Sequence, residues 1–423
     1  MKVLILCNDF PPINSIGAER PYSWYFYFKE QGIEPVIITK NWDNNNDSRF
    51  LQVKNNKTVE NTEKGTIIRV NEGLTPSLWF RNKFGEKFSI VRKSLTFIGK
   101  LLSFNLFLFD QHREIYNAAK EYLKANEIDL IITTGEPFIL FKYGHLLRTK
   151  NNIKWIADYR DGWYLNHVRS LQTDFGNRFI HKYEFKFEKK FLKNVDLITS
   201  VDPSLTKRLS DLLNKPSDVV YNGFWEYYEL ESTNLNKTKL VLNHTGTLTI
   251  GQRAEFLLEV LVELVDNENV NSDLLEVNFI GLDYFPEQSK RINDYNEKLK
   301  NIVKTTKRLP KEEAISMNLK ADFLINFTDE KFSAIYAKTY DYIACKKSIL
   351  VIPSDNGMLD ELIIDNNLGN VFNEKEELKI FILNALKNIN EKKESVKNQE
   401  NLDKFKRSYQ SNEFVKIIKN LTK

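Results

Sequence analysis

The residues best suited to chemistry fall in four short segments. In residues 335–350, IYAKTYDYIACKKSIL, helical spacing puts Lys338, Asp341 and Cys345 on one face, between two apolar strands. Residues 239–257, KLVLNHTGTLTIGQRAEFL, read as strand, glycine turn and helix start. Gly246 and Thr247 form the turn, and Arg253 falls where a helix N-terminus would meet a phosphate, so backbone amides and a guanidinium can share anionic oxygens. The segment WIADYRDGW, 155–163, sets Asp158, Arg160 and Asp161 at the end of an apolar strand. A carboxylate there can orient a hydroxyl or take its proton; the alternative is a structural ion pair of Asp158 with Arg160, which leaves Asp161 for that task. Glu136, in TGEP at the end of another strand, is a further acidic candidate.

These residues need rigid elements behind them, and the chain supplies a regular series. Short apolar runs without polar alternation, the mark of buried parallel strands, occur at 2–7, 35–39, 130–133, 154–158, 197–200 and 219–221, with a helix predicted over 18–31. Asn222-Gly223 is a turn signal, and a polar connector spans 226–237. The rhythm restarts at 240–243, 276–280, 323–326, 348–352 and 370–371. The expectation is an α/β protein with two Rossmann-like domains in tandem, 1–225 and 238–404, and a C-terminal helix over 405–423 available to pack back on the first domain. Each half opens with a strand, a glycine loop (Gly17, then Gly246) and a helix, and open α/β sheets bind ligands at that carboxyl edge.

Composition narrows the classes. A chain of 423 residues exceeds one ordinary core. Its net charge of +4, from 61 basic and 57 acidic residues, gives no reason to expect nucleic acid. Two cysteines, Cys7 and Cys345, make no disulfide framework and suit a reducing cytoplasm, and the apolar run after Met1 is too short for a signal peptide. Residues 94–109 are greasy but shorter than the about 18–20 residues of a spanning helix. Arg81, Lys83, Lys87, Arg92 and Lys93 precede them, so 81–109 reads either as a peripheral contact with an anionic membrane face or as a core helix with a basic flank. His112, His145, His167, His181 and His244 have no metal-ligand spacing, and no metal or other cofactor is expected.

Four blocks, DFPPINSIGAER (9–20), WIADYRDGW (155–163), HTGTLTIGQR (244–253) and AKTYDYIACKKSILVIPSDNG (337–357), together resemble glycosyltransferases of family 4, most of all the branch that builds bacterial surface polysaccharides. The resemblance covers nearly the whole chain. It implies the GT-B fold, two Rossmann-like domains facing a central cleft, and transfer with retention from a UDP- or GDP-sugar to a saccharide acceptor, lipid-linked at the cytoplasmic membrane face. It implies that Gly17 lets the first loop approach the donor diphosphate, that Arg253 and Lys338 hold that diphosphate, and that Asp341 accepts from the ribose hydroxyls unless it is a surface acid paired with Lys338. The chain departs from the family at Thr247, where an arginine is common, and at Ser333, where a glutamate is common; Asp329 or Glu330 is then the carboxylate expected to reach in. Gly162 stands where the branch usually has proline, which implies a more mobile loop.

Other classes remain in view. A nucleotide-sugar-binding partner without turnover fits the losses at Thr247 and Ser333. A nucleotide-sugar epimerase on the same fold would open with an arginine-rich motif that 9–20 lacks, and an NAD enzyme would carry a three-glycine fingerprint.

Overall fold

The structure, a computed structural model, describes residues 1–13, 15–43, 53–85, 87–166, 175–229, 238–268, 270–299, 302–329, 333–390 and 402–423. His167, Glu330 and parts of the 226–237 connector and the lysine-rich 388–404 stretch lie outside them. The chain divides into two compact units, Met1–Asn222 with Arg407–Lys423, and Gly223–Lys406.

The first unit is built on eight strands: β1 (Lys2–Leu6), β2 (Glu34–Lys40), β3 (Thr58–Asn61), β4 (Thr66–Val70), β5 (Leu130–Thr134), β6 (Lys154–Tyr159), β7 (Leu197–Ser200) and β8 (Ser217–Val219). Their order is β3-β4-β2-β1-β5-β6-β7-β8, and only β3 runs antiparallel to its neighbour. Alternate residues of β1 feed opposite faces: Leu4 and Leu6 join a core with Ile131 and Trp155, while Val3 and Ile5 join one with Trp24 and Phe28. The C-terminal helix Arg407–Thr422 belongs to this second core. Its Phe414 ring lies 4.9 Å from that of Trp24, which is carried on α1 (Ile16–Tyr27).

Sequence reading passes over β3, β4 and, in the second unit, the three-residue strand Val303–Thr305. All four residues of β3 are exposed, so no buried face leaves an apolar imprint on them. The greasy 94–109 stretch is mostly the helix α3 (Ser89–Leu102), which follows α2 (Pro76–Phe84). Among the described residues no helix is long and apolar enough to cross a membrane.

The second unit has six parallel strands, β9 (Leu240–Thr245), β10 (Leu275–Ile280), β11 (Val303–Thr305), β12 (Phe323–Phe327), β13 (Ser348–Ile352) and β14 (Gly369–Val371), in the order β11-β10-β9-β12-β13-β14. Chain order reverses between β9 and β12, and at such a switch point the strand ends splay to leave room for a ligand.

Candidate functional site

At that switch point β9 ends in His244 and Thr245. Gly246 then turns the chain at φ +92°, a left-handed conformation that favours glycine, and its amide donates to the Ile280 carbonyl at 2.7 Å. Buried Gln252 stitches the following loop down: its Nε2 donates to the Phe327 carbonyl at 2.7 Å, and its Oε1 accepts from the Thr249 amide at 2.9 Å. The loop so held presents Thr247 and Arg253 as exposed side chains. Arg253 immediately precedes Ala254, the N-cap of the helix Glu255–Asp266, as a phosphate-facing residue should.

Beside this turn the structure adds a pair that the sequence reading did not join. Lys338 Nζ lies 3.1 Å from His244 Nε2, and His244 Nδ1 lies 3.0 Å from the Ile325 carbonyl. A carbonyl only accepts, so Nδ1 carries the proton and Nε2 is left to accept from the Lys338 ammonium. Burial, with Lys338 adding to it, pushes the fully buried His244 well below its usual value, and burial lowers the Lys338 ammonium to about 7. The result is a lysine that titrates near neutrality, held at the switch point by a neutral imidazole. No spacing rule could find it, because His244 and Lys338 are 94 positions apart.

Asp341, one helical turn on from Lys338, is half-buried and pairs at 3.7 Å with Lys311 rather than with Lys338, which His244 has already engaged. Cys345 follows the helix Ala337–Ala344 as its C-cap, a buried thiol that burial pushes up to about 12. At Ser333 the carboxylate in contact is Asp355 and not Asp329, while Glu330 lies outside the described residues. Ser333 Oγ donates to Asp355 Oδ2 at 2.7 Å and accepts from the Met358 amide at 2.7 Å, at the start of the helix Met358–Asp365. Asp329 instead packs over Gly251, where an added Cβ would fall 2.0 Å from its Oδ2.

In the first unit the acidic cluster is sorted differently from the expectation. Asp158 pairs with Arg20, not Arg160: Oδ2 accepts from Arg20 Nε at 2.9 Å, and Oδ1 accepts from Arg20 Nη2 at 2.6 Å and from Thr199 Oγ1 at 2.7 Å. Arg20 also donates to the Val220 carbonyl at 2.6 Å, and both charges are buried. The reason is directional, since Asp158 lies within β6 and points inward, whereas Arg160 lies beyond the strand end. Arg160 Nε donates to the Gly135 carbonyl at 2.8 Å and Nη2 to that of Glu136 at 3.3 Å.

Arg160 also fills the space at Gly17, where an added Cβ would fall 1.9 Å from its Nη1 and 2.8 Å from Asp9 Oδ2. The close approach that Gly17 permits here is therefore that of Arg160. Asp161 is exposed and Glu136 half-buried. Asp202, whose carboxyl is raised by burial and further by Asp161, caps the helix Pro203–Leu213 through the Leu205 amide at 2.7 Å. Gly162 permits a close backbone approach in this loop, because an added Cβ would meet the backbone of Leu165 at 2.8 Å. Glu188 anchors the same loop by accepting from Tyr159 Oη at 2.8 Å and the Tyr164 amide at 3.0 Å, while burial pushes its carboxyl up to about 7.

No family model matches the chain, and no curated protein matches it in sequence. Its structure is nonetheless similar to solved ones over its full length. A sucrose-phosphate synthase from Thermosynechococcus elongatus aligns with TM-score 0.66 at 15% identity, covering 100% of this chain and 99% of that one. The E. coli trehalose-6-phosphate enzyme bound with UDP-2-fluoro glucose aligns at 0.60 and 10% identity, covering 100% and 99%. Anabaena Alr3699/HepE in complex with UDP and glucose aligns at 0.58 and 12% identity, covering 99% and 100%. At such identities the likeness speaks for architecture alone, and with two parallel-sheet units matched throughout, the chain has the GT-B fold.

Proposed function

We propose that the protein is a retaining glycosyltransferase that moves a sugar from a nucleoside-diphosphate sugar to a hydroxyl of a saccharide acceptor, in cell-surface polysaccharide synthesis. The observation that carries this reading is the Lys338–His244 pair beside the Gly246 turn and the Arg253 helix start, an anion site at a switch point. In the reaction the acceptor oxygen bonds to the anomeric carbon and the bond from that carbon to the diphosphate breaks. The proton of the hydroxyl passes to the departing diphosphate on the same face. The growing charge of the leaving group is what Lys338 and Arg253 stabilise.

A lipid-linked acceptor presented at the cytoplasmic membrane face agrees with the segment 76–104, which holds six basic residues against one acidic residue and exposes Phe88, Ile90, Val91, Phe97 and Ile98. UDP is the first nucleotide to test, since similar structures are described with it. At 100 times its dissociation constant a nucleotide adds ~2.7 kcal/mol and raises the thermal midpoint by a few degrees. We expect UDP or GDP to do so, and Arg253→Ala, an exposed cation, to weaken binding about 3- to 10-fold. A flat midpoint with UDP, GDP and ADP alike would remove the donor assignment.

A second reading, nucleotide-sugar binding without turnover, is favoured by one observation. Ser333, at the family's glutamate position, is already committed to Asp355 and the Met358 amide. Release of UDP from a UDP-sugar in the presence of acceptor excludes that reading; binding with no release under any acceptor supports it.

A further inference from the structure

The loop after β9 and the start of the helix Glu255–Asp266 are gripped from one side by Arg291, a side chain with no part in the chemistry above. Arg291 sits on the short helix Pro286–Asn293, whose Ile292 is buried in the same core as Leu257 and Leu261. That packing fixes the backbone from which the guanidinium reaches. An arginine has five N–H donors, and here each has a partner. Nε and Nη2 fork onto the two carboxylate oxygens of Glu255. Nη2 also donates to the Gln252 carbonyl at 2.7 Å, while Nη1 donates to the Thr249 carbonyl at 3.4 Å and to Gln288 Oε1 at 3.0 Å. All but the Gln288 contact end on residues 249–255, the stretch that carries Arg253.

Glu255 gives this grip its consequence. It is the first residue of its helix and the acid of the first turn, where a carboxylate is favoured by the N–H groups of the helix end. Its carboxylate accepts from its own amide and lies near enough to Arg253 to feel that charge. Burial raises its carboxyl, but the hydrogen bonds from Arg291, with its own amide and Arg253 adding to them, hold it below its usual value, so it is charged at neutral pH. A resident anion therefore stands at the helix start where a diphosphate would arrive. Unrestrained, it would compete for the same amide and for Arg253. Forked onto Arg291, it is turned aside and its charge is cancelled. The same guanidinium draws the Thr249 and Gln252 carbonyls toward itself, and a carbonyl engaged there does not face an incoming anion.

We propose that Arg291 is a positioning residue of the donor site: it neutralises Glu255 and holds the Thr249 and Gln252 carbonyls back, so that the helix start and Arg253 stay receptive to the diphosphate of a nucleoside-diphosphate sugar. This assignment rests on the donor reading above. It adds that the affinity of the site for an anion is set by an acid and its restraint as well as by the cations that face the ligand.

The test is calorimetric titration of the full chain with UDP, GDP and inorganic pyrophosphate, in the wild type, Glu255→Gln, Arg291→Ala and the double variant. Glu255→Gln keeps the shape of the side chain and removes its charge, which leaves Arg291 as an added cation beside the site. We expect it to bind whichever probe the wild type binds about 3-fold tighter or more. Arg291→Ala should bind that probe about 10-fold weaker, because the released carboxylate repels the diphosphate and pairs with Arg253. The double variant should return to within about 3-fold of the wild type, a coupling that a merely structural contact does not produce.

Glu255→Gln is isosteric and decides the matter by itself if Arg291→Ala does not fold. A Glu255→Gln protein that binds no tighter than the wild type, or a double variant as weak as Arg291→Ala, overturns the proposal. Binding of pyrophosphate without UDP or GDP strikes the donor reading and leaves the pyrophosphate series to judge Arg291. A wild type that binds none of the three removes both.

Discussion

Replacing Asp158 by alanine should destabilise the first unit by about 3–5 kcal/mol, the cost of stranding one charge of a buried pair. Arg20 would remain in a core position with its Nε and Nη2 donors unpaired, and Thr199 Oγ1 would lose its acceptor. Arg20→Met should cost a similar amount by stranding the carboxylate. The double variant Arg20→Met/Asp158→Leu should recover much of the loss, because well-packed apolar replacements of buried pairs are often neutral. Urea unfolding followed through tryptophan emission in a Trp225→Phe background reports on the first unit, which then holds every tryptophan, and this matters because a chain of two units has no single unfolding free energy. A variant that keeps its midpoint but loses transfer would return Asp158 to the acceptor chemistry that its sequence position suggests.

Lys338→Met should weaken nucleoside diphosphate binding roughly 30- to 150-fold, the worth of a charge-assisted contact of about 2–3 kcal/mol. The same residue gives two slopes of opposite sign. Burial lowers its ammonium from 10.5 to about 7, so between those values the unfolded chain binds a proton that the folded protein has released. The Lys338 contribution to stability without ligand therefore rises as pH climbs from about 7 toward 10.5, and its penalty is fully present below 7. Nucleotide affinity moves the other way, weakening as pH rises past about 7 and the ammonium is lost. Both contributions should be missing in Lys338→Met, which can be read as the difference between wild type and variant in urea midpoints and in UDP titrations across pH 6 to 10. A UDP affinity that stays flat with pH in the wild type would place the diphosphate away from Lys338.

Strand positions in both units were legible because parallel strands buried on both faces are written as uninterrupted apolar runs, as in LILC after Val3 or ILVI after Ser348. The antiparallel edge β3 was not, since an exposed strand has no apolar imprint. Gly246 and the helix start at Arg253 were likewise legible, because a left-handed turn and a helix N-terminus are local events whose residue preferences travel with the chain.

Pairing was another matter. That Asp158 takes Arg20, 138 positions away, instead of Arg160 two positions away, depends on α1 and β6 meeting in one core. That Lys338 takes His244, and Asp341 takes Lys311, depends on which strand lies beside which helix. The exposed apolar stripe of α3 could be suspected from composition, but only packing shows that its polar stripe lines a cavity. By itself the sequence determined most of the strands, their parallel character and the residue types at the strand ends, because propensity and burial act over a few positions. Tertiary structure alone decided which charges are spent in the core and which stay available for a ligand, because electrostatic partnership depends on distance in space and on desolvation, neither of which chain separation encodes.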